Sequence, residues 1–147
     1  MKSVNEMKCA FLSCSANESF ARTTVAAFVA QLDPTIEEIS DIKTAVSEAV
    51  TNCIVHAYRD NLGEISITTR IFENQKVVIR IRDRGCGIED VKQAMEPLYT
   101  TAGGERSGLG FSVMESFMDR LRVTSRVQKG TTVTIEKYIS RRQKEHG

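Results

Sequence analysis

Apolar residues recur every three or four positions through residues 17–58 and every second position after that, so the pattern predicts helices followed by strands. Ser15-Ala16-Asn17-Glu18 has the form of a capping box and opens a predicted helix to about Leu32, with Phe20, Thr24, Ala27, Phe28 and Leu32 on its buried face. Asp33-Pro34 breaks that helix, and Thr35-x-x-Glu38 caps a longer one to about Tyr58 that buries Val46, Val50, Cys53 and Ala57. Beyond a loop at Asn61 to Gly63 the period drops to two. Ile65, Ile67, Thr69 and Ile71 alternate, Glu73-Asn74-Gln75 turns, and Val77, Ile79 and Ile81 alternate again, a predicted hairpin. A second hairpin runs through Leu121, Val123, Ser125 and Val127, turns at Gln128-Lys129-Gly130, and returns through Val133, Ile135 and Ile139. Between the hairpins lie a short helix near Glu89 to Met95, a glycine-rich loop, and a helix from about Gly108 to Arg120.

The predicted order is helix, helix, hairpin, helix, loop, helix, hairpin. Two hairpins joined into one sheet, with the helices layered on one face, make an α+β two-layer sandwich whose sheet is mixed and mostly antiparallel. Arg70, Arg80, Arg82 and Arg126 then lie on the outer face, toward solvent. Neither a repeat nor a linker interrupts the pattern, so residues 1–147 are expected to form a single domain with a frayed basic tail at 140–147.

Composition narrows the class of function. A chain of 147 residues is long enough to bury a core without staples. A net charge of +1 provides no broad field for nucleic acid or an acidic membrane surface. Cys9, Cys14, Cys53 and Cys86 form no C-x-x-C pair, and with two histidines there is no zinc-finger pattern. Cys53 and Cys86 read as small hydrophobes in a reducing compartment. No apolar run spans a bilayer and no signal-peptide core precedes the first element, so a cytoplasmic domain is expected.

Three places break the apolar pattern with chemistry. Glu48, Asn52 and His56 recur every four residues in "SEAVTNCIVHAY" and form a slowly slanting polar row, drifting about 40° per step, beside the buried stripe. A carboxylate and an amide oxygen at a cleft edge suit magnesium or the orientation of a hydroxyl; a solvated polar edge accounts for them equally well. Asp83 has the inward parity of Val77, Ile79 and Ile81, and a carboxylate leaving a strand on its buried side needs a partner. Gly85 and Gly87 follow it in "DRGCG" and let a flat ligand approach, although alone an Asp-Gly pair is more often an exposed turn. "TTAGGERSGLG" gathers Gly103, Gly104, Gly108 and Gly110 ahead of a helix start, with Arg106 and Ser107 beside them, a composition that favours phosphate. It is neither a Walker A motif nor G-x-G-x-x-G after a strand. Thr131, after Gly130 at the last hairpin, shares the inward parity of Val133 and Ile135.

Taken together and in this order, E-x-x-x-N on a helix, D-x-G-x-G ending a strand, a glycine-rich loop into a helix and a hairpin Gly-Thr resemble the Bergerat ATP site of the gyrase, Hsp90, histidine-kinase and MutL group. "ESFAR", "SEAVTN", "PLYTT", "ERSGLGF" and "MESFMD" resemble most the anti-sigma F factors of sporulation, which are serine-protein kinases. The resemblance covers nearly the whole chain. It implies an ATP-dependent serine kinase that binds and inhibits sigma factor F, phosphorylates an anti-anti-sigma protein, uses ATP/ADP with Mg²⁺, and forms a homodimer. By that resemblance Glu48 is the general base and Asn52 holds Mg²⁺ against the phosphates. Asp83 accepts the adenine amino group between Gly85 and Gly87. Thr100, Thr101, Arg106, Ser107, Gly108 and Gly110 belong to the lid, and Thr131 completes the adenine end. Glu18 and Arg22 of "ESFAR", four apart and off the predicted apolar stripe, are expected to be exposed and to contact a partner.

The nearest alternative is the same kind of kinase acting on sigma B; the "PLYTT" and "ERSGLGF" wording favours sporulation. An ATPase clamp would carry a transducer domain after the ATP fold, whereas this sequence stops soon after its last strand. A histidine-kinase catalytic domain would need a phospho-accepting histidine on a dimerisation helix, where neither His56 nor His146 lies.

Overall fold

The fold follows from where one sheet puts its apolar face. The computed structural model describes residues 2–58, 61–95 and 110–141. Its strands are β1 (Ser3–Leu12), β2 (Glu64–Phe72), β3 (Lys76–Asp83), β4 (Arg120–Arg126) and β5 (Gly130–Tyr138), in the spatial order β1-β2-β3-β5-β4. Helices α1 (Asn17–Val29), α2 (Ile36–Asn52), α3 (Val91–Ala94) and α4 (Phe111–Phe117) complete the described elements. Ile65, Ile67 and Ile71 of β2, Val77, Ile79 and Ile81 of β3, and Val133 and Ile135 of β5 are buried in one cluster with residues of α1, α2 and α4. The α+β sandwich expected from the two periodicities is therefore present. On the opposite face Arg80, Arg82 and Arg126 are exposed and Arg70 is half-exposed and paired with Glu6.

The sheet departs from the expectation twice. It contains a fifth strand, β1, which the hydrophobic pattern did not reveal. β1 is an edge strand whose inward residues Met7, Cys9 and Phe11 are only half-buried, and the polar Asn5 occupies the inward position before them, which shortens its apolar alternation. All four pairings are antiparallel, with no parallel pair among the described strands. β3 and β4 do run in the same direction, but the returning strand β5 inserts between them and pairs with both.

The helices also differ in detail. The second capping box is formed as expected: Thr35 accepts from the Glu38 amide and Glu38 accepts from the Thr35 amide. The first is not. Ala16 is the N-cap of α1 and no side chain caps it, because Glu18 is engaged by Arg22 and Ser47 instead. The buried face of α1 is Ala21, Val25 and Val29, one position on from the predicted stripe, while Phe20 is half in solvent. Small β-branched and alanine side chains let α1 lie close on α2, and a phenylalanine in that seam would hold the helices apart. α1 passes into a 3₁₀ turn at Ala30–Leu32, which ends at Asp33 in the left-handed conformation just before Pro34. Thr69 occupies the inward parity predicted for it, but its hydroxyl is buried without a hydrogen-bond partner.

Candidate functional site

α2 does not continue as an α-helix to Tyr58. From Cys53 to Ala57 it widens into a π turn, closed by the Tyr58 amide donating to the Cys53 carbonyl at 3.1 Å. Such turns add a residue to the ring and often occur at functional sites. Four-residue spacing therefore keeps Glu48 and Asn52 on one face of α2, whereas His56 leaves their row by entering the π turn. Helix-end carbonyls have no intrahelical donor, and here the loop after β3 supplies donors. The Cys86 amide donates to the Ala57 carbonyl at 3.2 Å, and the Cys86 thiol donates to the His56 carbonyl at 3.2 Å. Gly85 lies so close to this end that a Cβ on it would run into the Ala57 carbonyl and side chain. Gly87 backs in the same way onto the Arg126 carbonyl.

Asp83 is where the sheet meets this helix end. It is 6% exposed, as its inward parity required, and is not the exposed turn residue of the bland alternative. Its Oδ1 accepts from the Gly85 amide at 2.9 Å and from the Thr131 amide at 3.2 Å. Its Oδ2 accepts the Cys53 thiol proton at 3.4 Å. Burial raises the Asp83 carboxyl above the usual aspartate range, opposed by the donors from Gly85, Cys53 and Thr131. Burial, and then the neighbouring Asp83 charge, push the Cys53 thiol well up, so Cys53 remains a proton donor. Cys53 is thus more than the apolar filler its position suggested. A thiol is a weak donor, which leaves Oδ2 with acceptor capacity for a stronger one.

Thr131 is buried at the start of β5, at the inward parity expected for it. Its hydroxyl contacts Ser125 Oγ at 2.8 Å, and Ser125 also bonds the Gly130 carbonyl and the Ile88 amide. Ser125 was not among the predicted site residues. The available signal was the one that identified Asp83, a polar residue at inward parity in an apolar strand. Tyr58 is a second unpredicted contributor: its hydroxyl accepts from the Arg84 amide at 2.6 Å and donates to the Glu64 carbonyl at 2.8 Å, tying the end of β3 to the start of β2.

At the other end of the row, the Glu48 carboxylate faces the N-terminus of α4. Gly110 is the N-cap there, with φ +72°, and a Cβ on it would collide with Glu48 Oε2. Glycine is required twice over, by the backbone angle and by the carboxylate. Asn52 ends α2 one turn beyond Glu48 and directly precedes Cys53. Glu48 and Asn52 on α2 thus have Gly110 at one end, and Asp83 and Gly85 at the π turn that follows; Thr131 joins through Asp83, and Gly87 packs on Arg126. Thr100, Thr101, Arg106, Ser107 and Gly108 lie outside the described residues. Among the described residues no three His, Cys, Asp or Glu side chains form a metal cluster. The oxygen donors of Glu48 and Asn52 fit Mg²⁺, which keeps several waters and takes few protein ligands.

Glu18 and Arg22 lie apart from this row, on α1. They form the i,i+4 ion pair their spacing allowed, but they are half-buried and not fully exposed. Glu18 Oε2 also accepts from Ser47 Oγ on α2 at 3.3 Å, since the packing of α1 on α2 brings them together.

Residues 15–137 match the model of the histidine kinase-like ATPase domain. The anti-sigma F factor of Caldanaerobacter subterraneus subsp. tengcongensis is 62% identical over 138 residues, covering 93% of this chain and 96% of the relative. That of Clostridium novyi is 59% identical over 137 residues, covering 92% and 95%. Among solved structures, the RsbU and RsbW domains of a Mycobacterium tuberculosis protein superpose with a TM-score of 0.70 at 20% identity, over 95% of this chain and 34% of that one. A blue-light activated histidine kinase domain from Erythrobacter litoralis gives 0.56 at 18% identity, over 83% and 60%. At these identities the structural likenesses concern the fold.

Proposed function

Because the chain belongs to the anti-sigma F factor family and has the histidine kinase-like ATPase fold, we propose that it binds and inhibits sigma factor F and phosphorylates an anti-anti-sigma protein on serine with ATP. The observation that carries this reading is the buried Asp83 carboxylate, held by the Gly85 and Thr131 amides at the end of α2 that also carries Glu48 and Asn52. Asp83 Oδ2, touched only by a thiol among the described residues, accepts the amino group of adenine. Gly85 and Gly87, whose loop is drawn in against Ala57 and Arg126, border the base together with Thr131. Asn52 offers its amide oxygen to Mg²⁺, which would neutralise phosphate charge when bound. The family reading assigns Thr100, Thr101, Arg106, Ser107, Gly108 and Gly110 to the lid over the phosphates.

In the transfer step Glu48 takes the proton of the partner's serine hydroxyl. The serine oxygen bonds to the γ-phosphorus as the bond to the bridging oxygen breaks and ADP leaves. The contact of Glu48 with the helix start at Gly110 supports this role, since it puts the carboxylate where the phosphate loop enters α4. Glu18 and Arg22, on a different helix, contact the protein partners. The family reading also implies a homodimer in the cytoplasm, where sigma factor and ATP are both found. Among the described strands β1 has a free edge, with Val4 and Leu12 exposed on it, which supports self-association. Incubation with labelled ATP, Mg²⁺ and a candidate anti-anti-sigma protein tests the chemistry. Label on a partner serine is expected, and release of free phosphate without transfer would indicate an ATPase instead.

A further inference from the structure

Ser125 lies on β4 directly opposite Thr131 on β5, and three groups converge on its hydroxyl. The Ile88 amide donates to it at 2.8 Å, the Gly130 carbonyl lies 3.1 Å away as an acceptor, and Thr131 Oγ1 lies at 2.8 Å. A hydroxyl has one proton and two lone pairs. The Ile88 amide occupies one lone pair, so two arrangements remain. In one, Ser125 donates to the Gly130 carbonyl and Thr131 donates to Ser125, which leaves Thr131 with lone pairs alone to offer a ligand. In the other, Ser125 donates to Thr131, and the Thr131 proton becomes available to a ligand.

Thr131 is also the residue whose amide holds Asp83 Oδ1 at 3.2 Å, so the two form one wall of the site. A base whose amino group donates to Asp83 presents, beside that amino group, a ring nitrogen that needs a donor. Only the second arrangement supplies one. We infer that Ser125 is a positioning residue for base recognition: by donating to Thr131 it fixes the Thr131 hydroxyl with its proton turned toward the purine ring nitrogen, and by accepting from Ile88 it holds the D-x-G-x-G loop against the same strand pair. This rests on the nucleotide-site reading above. It assigns a role to a residue of the edge strand that touches no ligand itself.

The test is a cycle between protein and ligand, with binding measured by calorimetry for ATP and for 1-deaza-ATP, in which the ring nitrogen is replaced by CH. The parent is expected to prefer ATP about three- to tenfold, the range of one hydrogen bond. Ser125→Ala leaves the Thr131 hydroxyl free to turn and should reduce that preference by weakening ATP while leaving 1-deaza-ATP nearly unchanged, and Ser125→Thr, which keeps the hydroxyl, should preserve it; a preference unchanged or increased in Ser125→Ala overturns the inference. A purely structural prop would weaken both nucleotides by the same factor, and that outcome overturns the inference. If Ser125→Ala does not fold, Thr131→Val, which removes the Thr131 hydroxyl and keeps the Ser125 bond to the Ile88 amide, should lose the same preference; a preference retained there also overturns it. A parent that binds neither nucleotide overturns the nucleotide reading, and the inference with it.

Discussion

Replacing Asp83 with Asn separates recognition from folding at a single atom. The Gly85 and Thr131 amides, at 2.9 and 3.2 Å, both donate to Oδ1 and therefore require an oxygen at that position in the variant. The new amide NH₂ is then forced into the place of Oδ2, facing the Cys53 thiol and any ligand amino group. A charge-assisted acceptor becomes a donor opposite a donor. Loss of one such bond costs about 1–3 kcal/mol, or roughly 5- to 150-fold in ATP affinity. Stability should move the other way. Burial raises the folded-state carboxyl, so its contribution to folding is fully present below the ordinary aspartate value of about 3.9 and is lost as pH rises through the raised value. At neutral pH the charge is a cost that Asn does not carry, and the variant should melt at or above the parent temperature. Calorimetry with ATP and thermal melts at pH 4 and pH 7 make the comparison. Unchanged ATP affinity refutes the adenine contact, and a variant that unfolds at pH 7 shows the carboxylate to be structural.

Glu48→Gln keeps size and helix propensity but cannot accept the serine proton, so single-turnover phosphotransfer should fall by about 10²–10⁴-fold while ATP affinity with Mg²⁺ holds; if both fall together, Glu48 is metal-linked. Gly110→Ala forces an L-residue to φ +72° and pushes a methyl into the Glu48 carboxylate, so turnover should drop more than nucleotide affinity, with a backbone cost of about 1–2 kcal/mol; unchanged turnover would disconnect Gly110 from the base. Arg22→Glu puts like charges side by side at a half-buried i,i+4 pair, costing about 1 kcal/mol or less in a melt, and should weaken pull-down of sigma F or the anti-anti-sigma protein with ATP binding intact; equal pull-down by variant and parent removes the partner assignment.

Parity made most of the site legible. Asp83 and Thr131 sit at inward positions of otherwise apolar strands, and burying a polar group there is costly enough to demand a partner, which each has. Ser125 obeys the same rule, but a serine between valines resembles mild dilution of an apolar face. The π turn was not legible, since its carbonyls are met from a distant loop, Ala57 by the Cys86 amide and His56 by the Cys86 thiol thirty residues away. β1 escaped because an edge strand is held by backbone bonds that any sequence can make. The buried face of α1 was misread because phenylalanines drew the stripe, whereas close helix packing selects the small residues beside them.

The insertion of β5 between β3 and β4 has a cost during synthesis. Until β5 arrives, β3 presents a bare backbone edge beside Val77, Ile79 and Ile81, an apolar strand of the kind that templates aggregation. The Thr131 amide that caps Asp83 is 48 residues further along the chain. At about 5–20 residues per second, a ribosome leaves that edge uncovered for roughly 2–10 s. The strand that shields it is the one that brings the Thr131 amide to Asp83, so a nascent chain escapes its aggregation hazard in the same step in which the proposed nucleotide site closes.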